Sequence, residues 1–82
     1  MRCTVVWDKS ALDKLAQYWV AAPDQRAFTD AADQIDRVLM LQPERGQGTG
    51  AVRRLRIDPL EVLYTYSADD CMVSVVDVDL VS

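Results

Sequence analysis

Residues 51–67 read Ala51-Val52-Arg53-Arg54-Leu55-Arg56-Ile57-Asp58-Pro59-Leu60-Glu61-Val62-Leu63-Tyr64-Thr65-Tyr66-Ser67. Upstream of this stretch, apolar residues recur every three to four positions. Within it they alternate, and alternation is the mark of a half-buried strand. The stretch therefore predicts one strand over 51–57 and a second over 60–67, with Asp58-Pro59 as the turn. Cys71 to Val81 predicts a third strand, entered through the turn Ala68-Asp69-Asp70. Strands so close in sequence pair as an antiparallel meander. Valines on both faces of the third make it central.

Working back from residue 51, Gln42 to Gly50 (QPERGQGTG) holds one proline, three glycines and no apolar side chain, and reads as a loop. Asp24 to Leu41 reads as a helix whose stripe is Phe28, Ala31, Ala32, Ile35, Val38 and Leu39. Asp8 to Val20 reads as another, capped by Asp8 or Ser10. Its expected stripe is Ala11, Leu12, Leu15, Ala16, Trp19 and Val20, with Asp13, Lys14 and Gln17 facing water. Ala21-Ala22-Pro23-Asp24 breaks the run, because proline disfavours helical geometry in the residue before it. Thr4 to Trp7, β-branched and aromatic, is a short first strand.

The order β-α-α-β-β-β predicts an α+β fold: a two-layer sandwich with a helical hairpin on one face of a small antiparallel sheet. The first strand is expected beside the last, at the far edge and antiparallel to it. Cys3 and Cys71 would then lie at opposite ends of neighbouring strands, well beyond the ~7 Å that a disulfide spans. Both are expected as buried or half-buried thiols.

Eighty-two residues allow one small domain, here 1–82. No uncharged run approaches the ~20 residues needed to cross a bilayer, and no apolar leader precedes the first strand, so a cytoplasmic protein that does not engage membranes is expected. Histidine is absent, which removes His-activated nucleophiles and His metal ligands. No metal and no cofactor are expected. The net charge of −4 argues against a sequence-independent nucleic-acid binder. The distribution argues differently. Four of the nine basic residues (Arg45, Arg53, Arg54 and Arg56) fall within twelve positions, and none follows Arg56. At a Debye length of about 8 Å such a patch still attracts an anion.

Alternation puts Arg54 and Arg56 on one face of their strand, away from the helices, with Leu55 and Ile57 on the other. Arg53 shares the side of Leu55 but sits at the strand's start, near solvent. Permanently charged, planar guanidiniums in this pattern suit an anion or RNA phosphate. The alternative is a solvated sheet face on which they pair with Glu61 or Asp58. Tyr64 and Tyr66 share a face with Leu60 and Val62; they suit either base stacking and acid/base work or core packing. Gly46-Gln47-Gly48-Thr49-Gly50 lacks the strand, helix and Lys-Ser/Thr pair of a phosphate-binding loop and reads as a connector. Asp77 and Asp79, like Asp69-Asp70, read as exposed or partner-covered carboxylates rather than a divalent-ion site. Trp7, Tyr18, Trp19 and Phe28 are expected mostly in the core.

Taken together, Val5-Val6-Trp7, the helix Ala11-Leu12-Asp13-Lys14-Leu15-Ala16, the helix Ala31-Ala32-Asp33-Gln34-Ile35-Asp36-Arg37-Val38-Leu39 and the Pro43/Gly46 loop are followed by Arg54-Leu55-Arg56, Pro59-Leu60-Glu61-Val62-Leu63-Tyr64 and Val73-Ser74-Val75-Val76-Asp77-Val78. In order, spacing and length this resembles the RelE/ParE superfamily of toxins from type II toxin–antitoxin modules. The resemblance implies a plasmid-stabilising or related toxin that arrests growth and is neutralised by a cognate antitoxin; an apolar groove that the antitoxin covers would let the free protein form a homodimer. It implies one of two actions: metal-independent cleavage of mRNA at the ribosome, or poisoning of DNA gyrase. Of the basic residues, Arg54 and Arg56 fall where the resemblance places basic nuclease residues; with Tyr64 from the strand reading they are the candidate catalytic residues, and the arginine cluster Arg45, Arg53, Arg54 and Arg56 is the candidate anion-binding set. Glu61 stands near where RelE-like nucleases often carry an arginine. Leu80-Val81-Ser82 supplies none of their C-terminal Arg and Tyr. The alternative is a catalytically degenerate module that only binds an antitoxin.

Overall fold

The computed structural model describes residues 2–46, 48 and 52–81. Ala51, read as the start of a strand, lies outside the described residues, as do Gln47, Thr49 and Gly50 of the glycine loop and the terminal Met1 and Ser82. The elements are β1 (Thr4–Trp7), α1 (Lys9–Ala21), α2 (Gln25–Leu41), a single 3-10 turn (Pro43–Arg45), β2 (Val52–Ile57), β3 (Leu60–Ser67) and β4 (Met72–Leu80). The sheet runs β1-β4-β3-β2. Two helices cover one face of it, an α+β two-layer arrangement.

The meander follows from its alternation. β2 and β3 pair antiparallel from Val52↔Thr65 to Ile57↔Leu60, and β3 and β4 from Leu60↔Leu80 to Ser67↔Met72. Leu55, Leu60, Val62, Tyr64, Val73, Val75 and Val78 turn inward and are buried. Between Leu63 and Tyr64 the register slips, so Val76 is left over as a bulge. That extra residue keeps Val78 in the core and turns Asp77 and Asp79 together out of it, within reach of α1. From α2, Phe28, Ala31, Ile35 and Leu39 descend onto this surface. The Asp24 side chain caps α2 by accepting the Ala27 N–H.

Two expectations fail together. β1 lies beside β4 at the edge as expected, but it runs parallel to it, Thr4↔Met72 to Trp7↔Val75, so the sheet is mixed. Parallel pairing puts the starts of the two strands side by side. Cys3 and Cys71 are then neighbours, with Cα atoms 4.7 Å apart, and they form a disulfide rather than two separate thiols. Closing a loop across 68 positions lowers the entropy of the unfolded chain, by roughly 4 kcal/mol at room temperature. Further ties hold β1: Cys3 N–H donates to the Met40 carbonyl at 2.8 Å and Trp7 Nε1 to Asp36 Oδ1 at 2.7 Å.

α1 is also rotated from its expected setting. Its sheet-facing stripe is Ala11, Lys14, Leu15 and Tyr18, a regular 3–4 spacing with a lysine inside it. Leu12 (47% exposed), Ala16, Trp19 (41%) and Val20 (72%) face outward instead. Lys14 is tolerated there because two carboxylates of β4 meet it. Nζ donates to Asp77 Oδ1 at 2.8 Å and to Asp79 Oδ1 at 3.2 Å, and the Tyr18 hydroxyl adds a bond to Asp79. No helix among the described residues is long and apolar enough to cross a membrane.

Candidate functional site

β2 is the free edge opposite β1, and its alternation decides where its charges go. Leu55 points into the core, and Arg54 and Arg56 project to solvent from the helix-free face. The 3-10 turn after α2 brings Arg45 up to the same edge. A cleft of about 550 Å³ forms there, lined by Arg45, Arg54 and Arg56, by Gln34 of α2, by Glu61 of β3 and by apolar side chains including Leu55. Because it draws on residues from both faces of β2, the cleft wraps the strand's open edge.

Within this cleft three guanidiniums meet one carboxylate. Arg54 Nε lies 3.6 Å from Glu61 Oε1, its diagonal neighbour on the adjacent strand. Arg56 Nε donates to Asp58 Oδ1 at 3.1 Å, at the turn. Among the described residues no carboxylate lies within ion-pair distance of Arg45. Solvent-exposed pairs such as these are worth about 0–1 kcal/mol, so an incoming anion displaces them at little cost. A guanidinium offers phosphate or carboxylate two parallel N–H donors. Three of them on one edge suit an extended polyanion.

The other expected residues are placed elsewhere. Arg53 turns toward the 3-10 turn and donates to the Glu44 carbonyl at 3.0 Å, outside the cleft. Tyr64 is buried in the core, not among the cleft residues. Its hydroxyl donates to the Pro43 carbonyl and accepts the Gly46 N–H at 2.9 Å, pinning the segment after α2 to the sheet. Burial raises its pKa above the usual tyrosine value, and the bond from Gly46 offsets part of that. Its role is to seat the turn that delivers Arg45. Asp77 and Asp79 are occupied by Lys14. The Lys14 ammonium, and next the Val78 N–H, hold Asp77 below the usual carboxylate range. The same two carboxylates hold the Lys14 pKa above the ordinary lysine value.

Sequence reasoning missed Gln34 in the cleft and the Lys14 pairings. Both depend on contacts between distant segments, with no local signal. It also missed a groove of about 370 Å³ between the helices, lined by Leu12, Leu15, Ala16, Trp19, Phe28 and Ala32. Trp19 closes one side, its Nε1 donating to Thr29 Oγ1 at 3.0 Å.

No family model and no curated protein matches the sequence. Solved structures do match the backbone. A chain of the toxin–antitoxin complex RelBE2 from Mycobacterium tuberculosis superposes with a TM-score of 0.80, at 18% identity, over 98% of this chain and 92% of that one. The fold is the RelE/ParE fold. A chain of the chromosomal ParDE system of P. aeruginosa gives a TM-score of 0.74 at 17% identity, over 99% and 98% of the two chains. A double arginine-to-alanine mutant of E. coli toxin RelE in the free state gives 0.72 at 13% identity, over 98% and 84%. Identities this low make the likeness one of architecture. A RelE/ParE sheet flanked by a helical hairpin therefore frames both the arginine cleft and the apolar groove.

Proposed function

We propose that this protein is the toxin of a type II toxin–antitoxin module, acting in the cytoplasm through the arginine-lined edge of β2 and neutralised by a cognate antitoxin. The observation that carries the reading is the RelE/ParE fold, matched end to end, with Arg45, Arg54 and Arg56 gathered on one free sheet edge. The exposed Leu12, Ala16, Trp19 and Val20 suit the antitoxin. An apolar helix face of this kind is covered by a partner or drives self-association of the free protein.

Of the two toxic actions, the cleft favours one that works by binding. RNA cleavage needs a group to take a proton from the attacking hydroxyl. The cleft offers guanidiniums, which neither gain nor lose a proton near neutral pH, and a single carboxylate, Glu61, with no second acid–base group among the described residues of its lining to protonate the leaving oxygen. The Tyr64 hydroxyl is committed to Pro43 and Gly46. A gyrase-directed action therefore fits better than mRNA hydrolysis. The exposed apolar face of α1, which suits a partner whether or not the arginine edge acts, favours a second reading, a module that binds its antitoxin without toxicity.

Induced expression in a bacterium, with and without the product of the adjacent reading frame, tests the proposal. The expected outcome is growth arrest relieved by co-expression, with gyrase supercoiling inhibited and ribosome-bound mRNA left intact by the purified protein. Cleaved mRNA would overturn the binding mechanism. Unimpaired growth with soluble protein would favour the second reading. Replacing Leu12 and Trp19 by serine should leave the fold intact and weaken antitoxin binding by about tenfold or more per residue, measured by calorimetry.

A further inference from the structure

The two sulfurs of the Cys3–Cys71 bond differ in access. Cys3 is 7% exposed and packed in the core, whereas Cys71 is half-buried in the turn that leads into β4. They are the protein's only cysteines, and both are committed to the bond. The bond lies at the outer margin of the sheet. There β1, four residues long, has β4 as its one strand neighbour. Cys71 sits at φ +48°, a left-handed conformation uncommon for a residue with a Cβ. Its carbonyl accepts the Thr4 N–H at 3.0 Å, so the same residue anchors β1 through backbone and sulfur. The Cys71 sulfur also lies 3.6 Å from the Arg2 carbonyl oxygen, an acceptor ready for the thiol once the bond is open.

We infer that Cys3–Cys71 is a thiol–disulfide exchange site, opened at Cys71 by a low-molecular-weight thiol, whose state sets how firmly β1 is held to β4. A cytoplasmic setting makes this consequential, because glutathione there keeps most thiols reduced. The inference itself rests on the bond and its surroundings, not on the toxin reading. In the first step the attacking thiolate forms a bond to Cys71 Sγ as the Cys71–Cys3 bond breaks. The electron pair leaves on Cys3 Sγ, which takes a proton from water. In the second step another thiolate attacks the sulfur of the adduct and releases Cys71 as a thiolate, which is then protonated. Net, two thiols become one small disulfide, and the protein bond gains two electrons and two protons. Cys3 is the leaving sulfur because it is the one an attacker does not reach. Its burial opposes the thiolate, so opening is slow and follows local loosening of the Ala68–Cys71 turn. With the bond open, β1 is left with its short parallel pairing and the Trp7–Asp36 and Cys3–Met40 bonds, and its amides open more often.

The oxidised, full-length protein treated with reduced glutathione, quenched in acid and mapped by mass spectrometry should carry the glutathione adduct on Cys71 and not on Cys3. Hydrogen exchange of the reduced protein should show the amides of Thr4 to Trp7 exchanging through a local opening, roughly tenfold or more faster than in the oxidised protein and with little dependence on denaturant, while those of Val62 to Tyr64 exchange only through global unfolding, whose denaturant dependence is steep. An adduct on Cys3 would overturn the assignment of the reactive sulfur. A denaturant dependence in β1 as steep as that of Val62 to Tyr64 would make the bond a global staple alone, and no acceleration in β1 would make its state irrelevant to the strand. Either result would overturn the proposal.

Discussion

At one margin of the sheet, β1 is fastened by a covalent bond to β4, by backbone bonds to Met40 and Cys71, and by Trp7 to Asp36. The charges near that margin, Lys14 with Asp77 and Asp79, satisfy one another. At the other margin, β2 has a free edge. Its Arg54 and Arg56 are exposed and held only by weak surface pairs. An edge strand is an open template unless it is covered, charged or tied down. This protein ties one edge and charges the other. The tied edge serves stability, and the charged edge leaves three guanidiniums open to solvent.

The largest effect should come from the joint that supports the charged edge. A Cβ at Gly46 would run into the buried Tyr64 ring and hydroxyl, which have nowhere to move. Gly46→Ala should cost about 3 kcal/mol, seen as a fall in the thermal midpoint on the order of 15 °C. A midpoint within a few degrees of wild type would mean the turn carrying Arg45 is not seated on Tyr64. Tyr64→Phe should cost less, about 2 kcal/mol, by leaving the Pro43 carbonyl and Gly46 N–H without their buried partner. Denaturant unfolding measures it, and an unchanged midpoint would contradict the bond's role.

The smallest effect belongs to the tied margin. Lys14 depresses the Asp77 pKa, so this pair stabilises the fold above the unfolded carboxylate value of about 4. The contribution is lost as pH falls through the lower, folded value. Lys14 stays protonated through this range. Asp77→Asn should therefore flatten the acid limb of the thermal midpoint between about pH 5 and pH 2, with a small change at neutrality because the pair is solvent-screened. A parallel acid limb in the two proteins would show that the pair does not couple to folding.

The meander was legible because Leu55, Leu60, Val62 and Tyr64 alternate, and α2 because Phe28, Ala31, Ile35 and Leu39 keep helical spacing. α1 misled for a physical reason. Lys14 sits inside the half-buried, sheet-facing stripe, neutralised by residues 63 and 65 positions away, while the apolar Leu12, Trp19 and Val20 face out. A pattern that counts apolar residues rotates such a helix the wrong way. The direction of β1 was illegible because four residues, with one neighbour each, carry no mark of parallel or antiparallel pairing. The disulfide was lost with it. At the candidate site, Arg54 and Arg56 were legible from strand alternation. Arg45 and Gln34 join them only through the turn after α2, a contact that no local pattern encodes.

The central claim is that the charged edge carries the toxic action. Its most direct test is the viable count after induced expression of the wild type beside a chain with Arg45, Arg54 and Arg56 all replaced by alanine, with circular dichroism confirming that both are folded. The account predicts arrest by the wild type and normal growth with the folded triple variant. Arrest by both would contradict it, because the action would then lie on another surface of the fold.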